Sequence, residues 1–277
     1  MTAPLAAGNA RVKEARKLSR RSVRTERRLF LADGPKAVEG AIEAGVWQEV
    51  FATPEAAQRF ARLIGDVPVT LVTQQAMAGL SDSVTPAGIV AVCRFPEDPP
   101  VLDARTRRLV AICADVRDPG NAGTVIRCAD AAGAGGVVLA GDSVDPYNPK
   151  AVRASVGSLF HVPVAQDSNP LAVIARARSA GYAVLAADMD GDSLFDVDLA
   201  GPTAWLFGNE AWGLPAELRN AADRIVTIPI YGRAESLNLS TAAAVCLYAS
   251  ARAHHRADWA HRPSLRTELS PGEPSTY

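Results

Sequence analysis

Short apolar runs alternate along most of this chain with stretches whose apolar positions recur at helical spacing. In the first third, Phe30-Leu31-Ala32, Glu49 to Ala52, Pro68 to Val72 and Gly88 to Cys93 read as strands. Between them Pro35 to Glu43, with Val38 and Ile42 on one face, and residues 54–64 and 74–80 read as helices, and 10–25 reads as a further, basic helix. Alternation of this kind predicts a compact α/β module of about ninety residues. Phe95-Pro96-Glu97-Asp98-Pro99-Pro100 breaks the pattern and marks a linker.

A second alternating series follows. Leu109 to Ala114, Gly136 to Ala140, Val162 to Ala165, Tyr182 to Ala187, Trp205-Leu206-Phe207 and Ile225 to Ile228 read as strands. Helices are predicted over 121–133, 149–158, 170–179, 215–221 and the apolar run from Leu239 to Ala253. Apolar strands without strict alternation predict a parallel sheet covered on both faces. From His261 onward four prolines or glycines and few apolar residues predict a disordered tail. The expected organisation is therefore a basic arm and first module over 1–95, a linker over 96–108, a second module over 109–260 and a tail over 261–277.

Composition changes this picture little, and charge distribution changes it more. The 277 residues are 48% apolar, enough for real cores, and the 29 basic and 30 acidic residues nearly cancel. Between Arg11 and Arg28, however, nine Lys or Arg face only Glu14 and Glu26. Basic side chains at 13, 16/17, 20, 24 and 27/28 would line one stripe of a helix. Such a stripe is either a solvated face or a surface for a polyanion. Cys93, Cys113, Cys128 and Cys246 each sit among small or apolar residues without a Cys-x-x-Cys pair, so neither disulfides nor a metal site is expected. His161, His254, His255 and His261 are scattered and receive no catalytic role. No run reaches membrane-spanning length and the N-terminus lacks a signal-like apolar segment, so a cytoplasmic protein is expected.

The candidate chemistry lies where strands of the second series give way to small and polar residues, since ligands of α/β sheets bind in such loops. Asp118-Pro119-Gly120-Asn121-Ala122-Gly123 opens a helix that carries Arg127 about two turns in, roughly 9 Å along the axis at 1.5 Å per residue. Asn121 alone would pass for an N-cap. A guanidinium in a helix otherwise built of Val125, Ile126, Cys128, Ala129, Ala131 and Ala132 needs an anionic partner or a solvent face. The second loop, Gly208-Asn209-Glu210-Ala211-Trp212-Gly213, follows a strand and passes equally for a turn. In the third, Ser236-Leu237-Asn238 precedes the last helix and could cap it. Gly133-Ala134-Gly135-Gly136 is no dinucleotide fingerprint, because a strand follows it where a helix is required.

Taken together and in order, the three loops resemble the three motifs of the SpoU/TrmH branch of the SPOUT RNA methyltransferases, over about the last two thirds of the chain. The resemblance implies a trefoil-knotted α/β catalytic domain, a smaller N-terminal ribosomal-protein-like α/β domain that binds RNA, and a homodimer. It implies transfer of a methyl group from S-adenosylmethionine to a ribose 2′-hydroxyl, with 23S rRNA the expected substrate and no metal. Relatives with this layout include housekeeping enzymes and thiostrepton-resistance methyltransferases. Asn121, Arg127, Glu210, Ser236 and Asn238 match the family's catalytic positions, and the backbones at Gly208, Ile228 and Leu237 match its cofactor site. A glycine at 208 would let backbone approach the cofactor closely. Arg127 would orient and stabilise charge rather than act as a base, because a guanidinium scarcely deprotonates. Lys150 and Arg153, ahead of Ser155-Val156-Gly157-Ser158, also match a family pattern; they would hold the nucleic-acid backbone or merely solvate a helix. The alternatives are a tRNA 2′-O-methyltransferase, a non-catalytic RNA-binding protein that retains the fold, and a Rossmann-type small-molecule enzyme.

Overall fold

Three strands made almost wholly of apolar residues sit side by side at the centre of the larger sheet, because only a strand covered on both faces can bury side chains in both directions. They are β5 (Leu109–Ala114), β6 (Gly136–Ala140) and β9 (Thr203–Phe207), and every residue in them is buried. The computed structural model describes residues 3–97 and 100–256. The tail expected from 261 onward, with His261, lies outside the described residues.

In chain order the first module comprises α1 (Ala10–Arg16), α2 (Arg21–Arg27), β1 (Leu29–Asp33), α3 (Pro35–Glu43), β2 (Trp47–Ala52), α4 (Pro54–Arg59), α5 (Ala61–Ile64), β3 (Val69–Leu71), α6 (Gln74–Leu80) and β4 (Ile89–Arg94). Its mixed four-stranded sheet runs β1-β4-β2-β3. In the second module β5 is followed by α7 (Pro119–Ala131), β6, α8 (Pro149–Ser155), β7 (Val164–Asp167), α9 (Pro170–Ser179), β8 (Ala183–Ser193), β9, α10 (Ala216–Ala221), β10 (Arg224–Thr227) and α11 (Leu239–His254). The six strands are ordered β10-β8-β9-β5-β6-β7 and every pairing is parallel. The chain winds outward from β5 through β6 to β7, then crosses to the other side. The order thus reverses beside β5, and the carboxyl ends of β5 and β9 mark the position at which α/β sheets commonly bind their ligands.

The alternation predicted from the sequence is the alternation observed, with four departures. Residues 54–64 form two helices divided at Phe60. The helix predicted over 149–158 stops at Ser155, where Val156 turns left-handed at φ 51°. β8 continues past Ala187 to Ser193 because β10 pairs with both its halves, through a bulge between Ile225 and Val226.

The fourth departure concerns the basic arm. The single helix predicted over 10–25 is broken: Arg20 is extended (φ −91°, ψ 130°) and α2 starts anew behind it. Arg24 explains the break. Its Nη1 donates to the carbonyls of Leu18 (2.9 Å) and Ser19 (2.8 Å), acceptors that the ending helical run leaves unpaired. Its Nε and Nη2 reach Asp145 Oδ2 in the second module at 2.9 and 2.6 Å. Arg24 is 2% exposed, so it belongs to no surface stripe. Lys17 and Arg27 both pair with Glu14, and Arg11 pairs with Glu49. Lys13, Arg16, Arg20 and Arg21 remain exposed, and none forms an ion pair among the described residues.

The two modules share one core. Phe30 from β1 lies 4.8 Å from Tyr147 and 5.9 Å from Phe160, centroid to centroid, and Phe95 stacks on Tyr147 at 3.9 Å. On the far side, Trp205 is fully buried beneath α11, where its indole N–H meets Ser250 Oγ at 2.9 Å. Among the described residues no helix is long and apolar enough to cross a membrane.

Candidate active site

The loop after β5 is shaped by Asp115, which takes a left-handed conformation (φ 56°) and sends the chain across the carboxyl edge of the sheet. Its carbonyl accepts from Asn209 Nδ2 at 2.6 Å, tying the loop after β9 to the loop after β5. Ser143, after β6, bonds the same region through the Val116 N–H (3.0 Å) and the Cys113 carbonyl (3.1 Å). Three loops are thereby fixed at the strand ends before any candidate catalytic side chain is considered.

The N-cap of α7 is Asp118, not Asn121: Asp118 Oδ1 accepts the Asn121 N–H at 2.8 Å, with Pro119 in the first helical position. This frees the Asn121 side chain. Its Nδ2 donates to Glu210 Oε1 at 3.2 Å, and its Oδ1 accepts from Asn238 Nδ2 at 3.1 Å. Glu210 also receives the main-chain N–H groups of Asp118 (3.1 Å) and Arg117 (3.3 Å). Asn238 does cap its helix, since its Oδ1 accepts from the N–H groups of Ser240 (2.9 Å) and Thr241 (3.4 Å), while its amide nitrogen serves Asn121. One asparagine from the first loop therefore joins a carboxylate from the second to an amide from the third.

The other candidates lie outside this network. Arg127 is exposed and makes no hydrogen bond or ion pair among the described residues. Six residues at 100° each carry it about 240° around α7 from Asn121, onto another face. Ser236 is exposed and likewise without a hydrogen bond among the described residues.

Gly208 is a glycine for a reason internal to the fold. A Cβ there would lie 2.5 Å from the Gly213 carbonyl oxygen and 2.6 Å from the Leu214 nitrogen. The loop closes over it, with Asn209 and Gly213 exchanging main-chain hydrogen bonds of 3.0 Å. A bulkier residue at 208 would disrupt this loop before it met any ligand, so the glycine by itself does not point to a cofactor. Ile228 packs half-buried against the core and Leu237 is 36% exposed. Between them residues 229–237 make no main-chain hydrogen bond among the described residues. A run of unpaired N–H and C=O groups beside the Asn121 network suits a ligand with polar edges, such as an adenine ring and an amino-acid tail.

Two basic residues nearby are engaged by carboxylates. Lys150 Nζ lies 2.9 Å from Asp118 Oδ2, and Arg153 Nη1 lies 3.1 Å from Asp82 Oδ2 and 3.7 Å from Asp33 Oδ2, bridging α8 to the first module. Burial alone would raise the Asp118 carboxyl, but its bonds to the Lys150 ammonium and the Asn121 N–H hold it below the usual carboxylate range. Burial, with the Glu210 carboxylate nearby, pushes the Cys113 thiol up to about 12, so it stays protonated. The sequence did not single out Asp118, which a Pro at the next position marks as a cap, nor Arg117 and Trp212, which flank the motif residues.

Comparison with known proteins gives a consistent picture. The SpoU rRNA Methylase family model matches residues 108–248, and the MRM3-like substrate binding domain model matches residues 9–91. The chain is 33% identical to the 23S rRNA (guanosine(2553)-2′-O)-methyltransferase RlmP of Bacillus subtilis (strain 168), over 87% of this chain and 96% of that protein. It is 34% identical to the 23S rRNA (uridine(2479)-2′-O)-methyltransferase of Streptomyces viridochromogenes, over 85% and 86%. Among solved structures, the AdoMet-bound rRNA methyltransferase from Sinorhizobium meliloti superposes with a TM-score of 0.75 at 34% identity, covering 89% of this chain and 95% of that one.

Proposed function

The chain belongs to the SpoU rRNA methylase family, and from that premise we propose that it transfers a methyl group from S-adenosylmethionine to a ribose 2′-hydroxyl of 23S rRNA. The observation that carries the reading is the junction at Asn121, where side chains from three separate loops meet at a strand-order reversal. S-adenosylmethionine, when bound, supplies an electrophilic methyl on a sulfonium. The main chain around Gly208, residues 229–237 and Leu237 would hold it, with Ile228 offering an apolar wall. Methyl transfer is an in-line displacement, so positioning contributes most of what the protein must do. Glu210, fixed by two main-chain N–H groups and by Asn121, together with Asn238, keeps the loops in register around the reacting oxygen. Arg127 and Ser236 would act on the substrate itself, Arg127 by countering phosphate or developing charge. A homodimer fits this assignment, because the outward guanidinium of Arg127 would then face a second chain rather than its own Asn121. A ribosomal substrate also favours a cytoplasmic protein.

Calorimetry with S-adenosylmethionine and incorporation of labelled methyl into 23S rRNA transcripts test the proposal. Binding of the donor and a 2′-O-methyl product are expected; a methylated base, or no donor binding, would overturn it.

The first module and its arm would hold RNA without taking part in chemistry. With Arg24 internal, Arg11, Lys17 and Arg27 paired with carboxylates and Arg28 lying over the Phe95 ring, Lys13, Arg16, Arg20 and Arg21 are the residues left for phosphates. Replacing these four with Gln should weaken RNA binding and flatten its salt dependence by roughly 0.7–0.9 log units per log salt for every phosphate that is no longer neutralised. S-adenosylmethionine affinity should not change. A wild-type salt slope in the quadruple variant would make the arm a solvated surface only.

A further inference from the structure

Trp212 is an anomaly of the second loop. An indole is usually kept from water, as Trp205 is, yet Trp212 is 55% exposed. It is not loosely held. The exchanged hydrogen bonds of Asn209 and Gly213 close the loop at its base, and Glu210, two residues earlier, is fastened to the start of α7. One face of the ring is occupied: the Arg117 guanidinium carbon lies 5.1 Å from the ring centroid. Among the described residues Arg117 in turn has only a distant carboxylate, Asp142 at 3.6 Å, and both of these side chains are largely exposed. The result is a half-exposed aromatic ring with a cation over one face, carried on a loop tied at its base. It is attached through Glu210 and the Arg117 N–H to the network around Asn121.

We infer that Trp212, backed by Arg117, is a stacking platform for an unpaired RNA base, the base of the nucleotide undergoing methylation or of its neighbour. The inference rests on the methyltransferase reading for its substrate class. The chemistry is that of single-stranded RNA recognition, in which splayed bases stack on exposed aromatic rings and guanidinium planes. A ribose can enter the Asn121 junction only if its nucleotide leaves the helical stack, and the flipped base then needs a surface. Stacking tolerates any base, so the platform contributes to holding the nucleotide more than to reading its identity.

The test uses Trp212→Ala and Trp212→Phe in the full chain. On 23S rRNA transcripts, Trp212→Ala should raise the KM for RNA about tenfold, and Trp212→Phe should recover most of the loss. S-adenosylmethionine affinity by calorimetry should be unchanged in both. Separately, in a Trp47→Phe/Trp259→Phe background that leaves Trp205 and Trp212 as the emitters, titration with oligoadenylate should quench tryptophan emission, and the quench should vanish when Trp212→Phe is added, since Trp205 is sealed in the core. An unchanged KM in Trp212→Ala, or a quench that persists when Trp212→Phe is added to that background, overturns the platform. Failure of the wild-type protein to methylate RNA would overturn the methyltransferase reading instead, and the quench, which needs no turnover, still decides the stacking.

Discussion

Replacing Arg127 with Ala is expected to slow methyl transfer about 10²–10³-fold, the usual effect of removing one charge-stabilising group from a preorganised site. S-adenosylmethionine affinity should hardly change. The expectation rests on where the guanidinium stands. α7 buries Ala122, Val125, Ile126 and Ala129, and an exposed Arg among them satisfies nothing in its own chain among the described residues. Its removal therefore costs the fold little, and any large kinetic effect belongs to the reaction. Arg127→Lys should recover only part of the rate, because an ammonium lacks the planar fork that grips a phosphate through two bonds. Single-turnover rates with saturating donor, measured beside donor affinity, decide the matter. Turnover near that of the wild type would remove Arg127 from the chemistry, and a parallel loss of donor affinity would move it to the cofactor site.

Much of the architecture was legible because it depends on local pattern. Strands such as Leu109–Ala114 are apolar throughout, and α3 begins and ends where its proline and apolar face predict. What was not legible depends on partners far away in sequence. Charge spacing alone cannot show that Arg24, among nine basic residues, turns inward, since Asp145 is 121 residues distant. Nor can it show that the helix must break to offer two carbonyls to the same guanidinium.

The site divides in the same way. The polar loops at the strand ends were visible in the pattern but open to reading as caps and turns; the family resemblance picked out Asn121, Glu210 and Asn238, and the structure brings them into one hydrogen-bonded chain. The identity of each cap was hidden: Asp118 rather than Asn121 closes α7, which is what leaves the Asn121 amide free. Gly208 has a second reason that the sequence did not show: the close approach that requires a glycine there is made by the backbone of Gly213 and Leu214, whether or not a ligand also comes near. A glycine reports that something comes near, not what it is.

Breaking the Arg24–Asp145 pair is the second large effect to be expected, this time on stability. Asp145→Ala leaves a guanidinium that is 2% exposed without its counter-charge, and Arg24 keeps only the carbonyls of Leu18 and Ser19. Orphaning one member of a buried pair typically costs about 3–5 kcal/mol. Asp145 also accepts the Tyr147 N–H at 2.9 Å, and Tyr147 stacks against Phe95 and Phe30, so part of the loss reflects a loosened seam between the modules. Asp145→Asn preserves the shape and an acceptor while removing the charge, and should account for most of the loss if desolvated charge is the cause. The double variant Arg24→Met with Asp145→Leu tests the cause directly. It removes both charges and should recover at least half of the loss, the rest belonging to the Leu18 and Ser19 carbonyls and the Tyr147 N–H, which then lack their partners. Urea denaturation measures all three. A single transition with an unchanged m-value would show that the two sheets, which share one core, still unfold as a unit. If Asp145→Ala instead costs less than about 1 kcal/mol, water reaches the guanidinium and the pair behaves as a surface contact. If the double variant is as unstable as the single one, the pair holds the arm through its geometry, and the two carbonyls that Arg24 collects at the helix break matter more than the charge it neutralises.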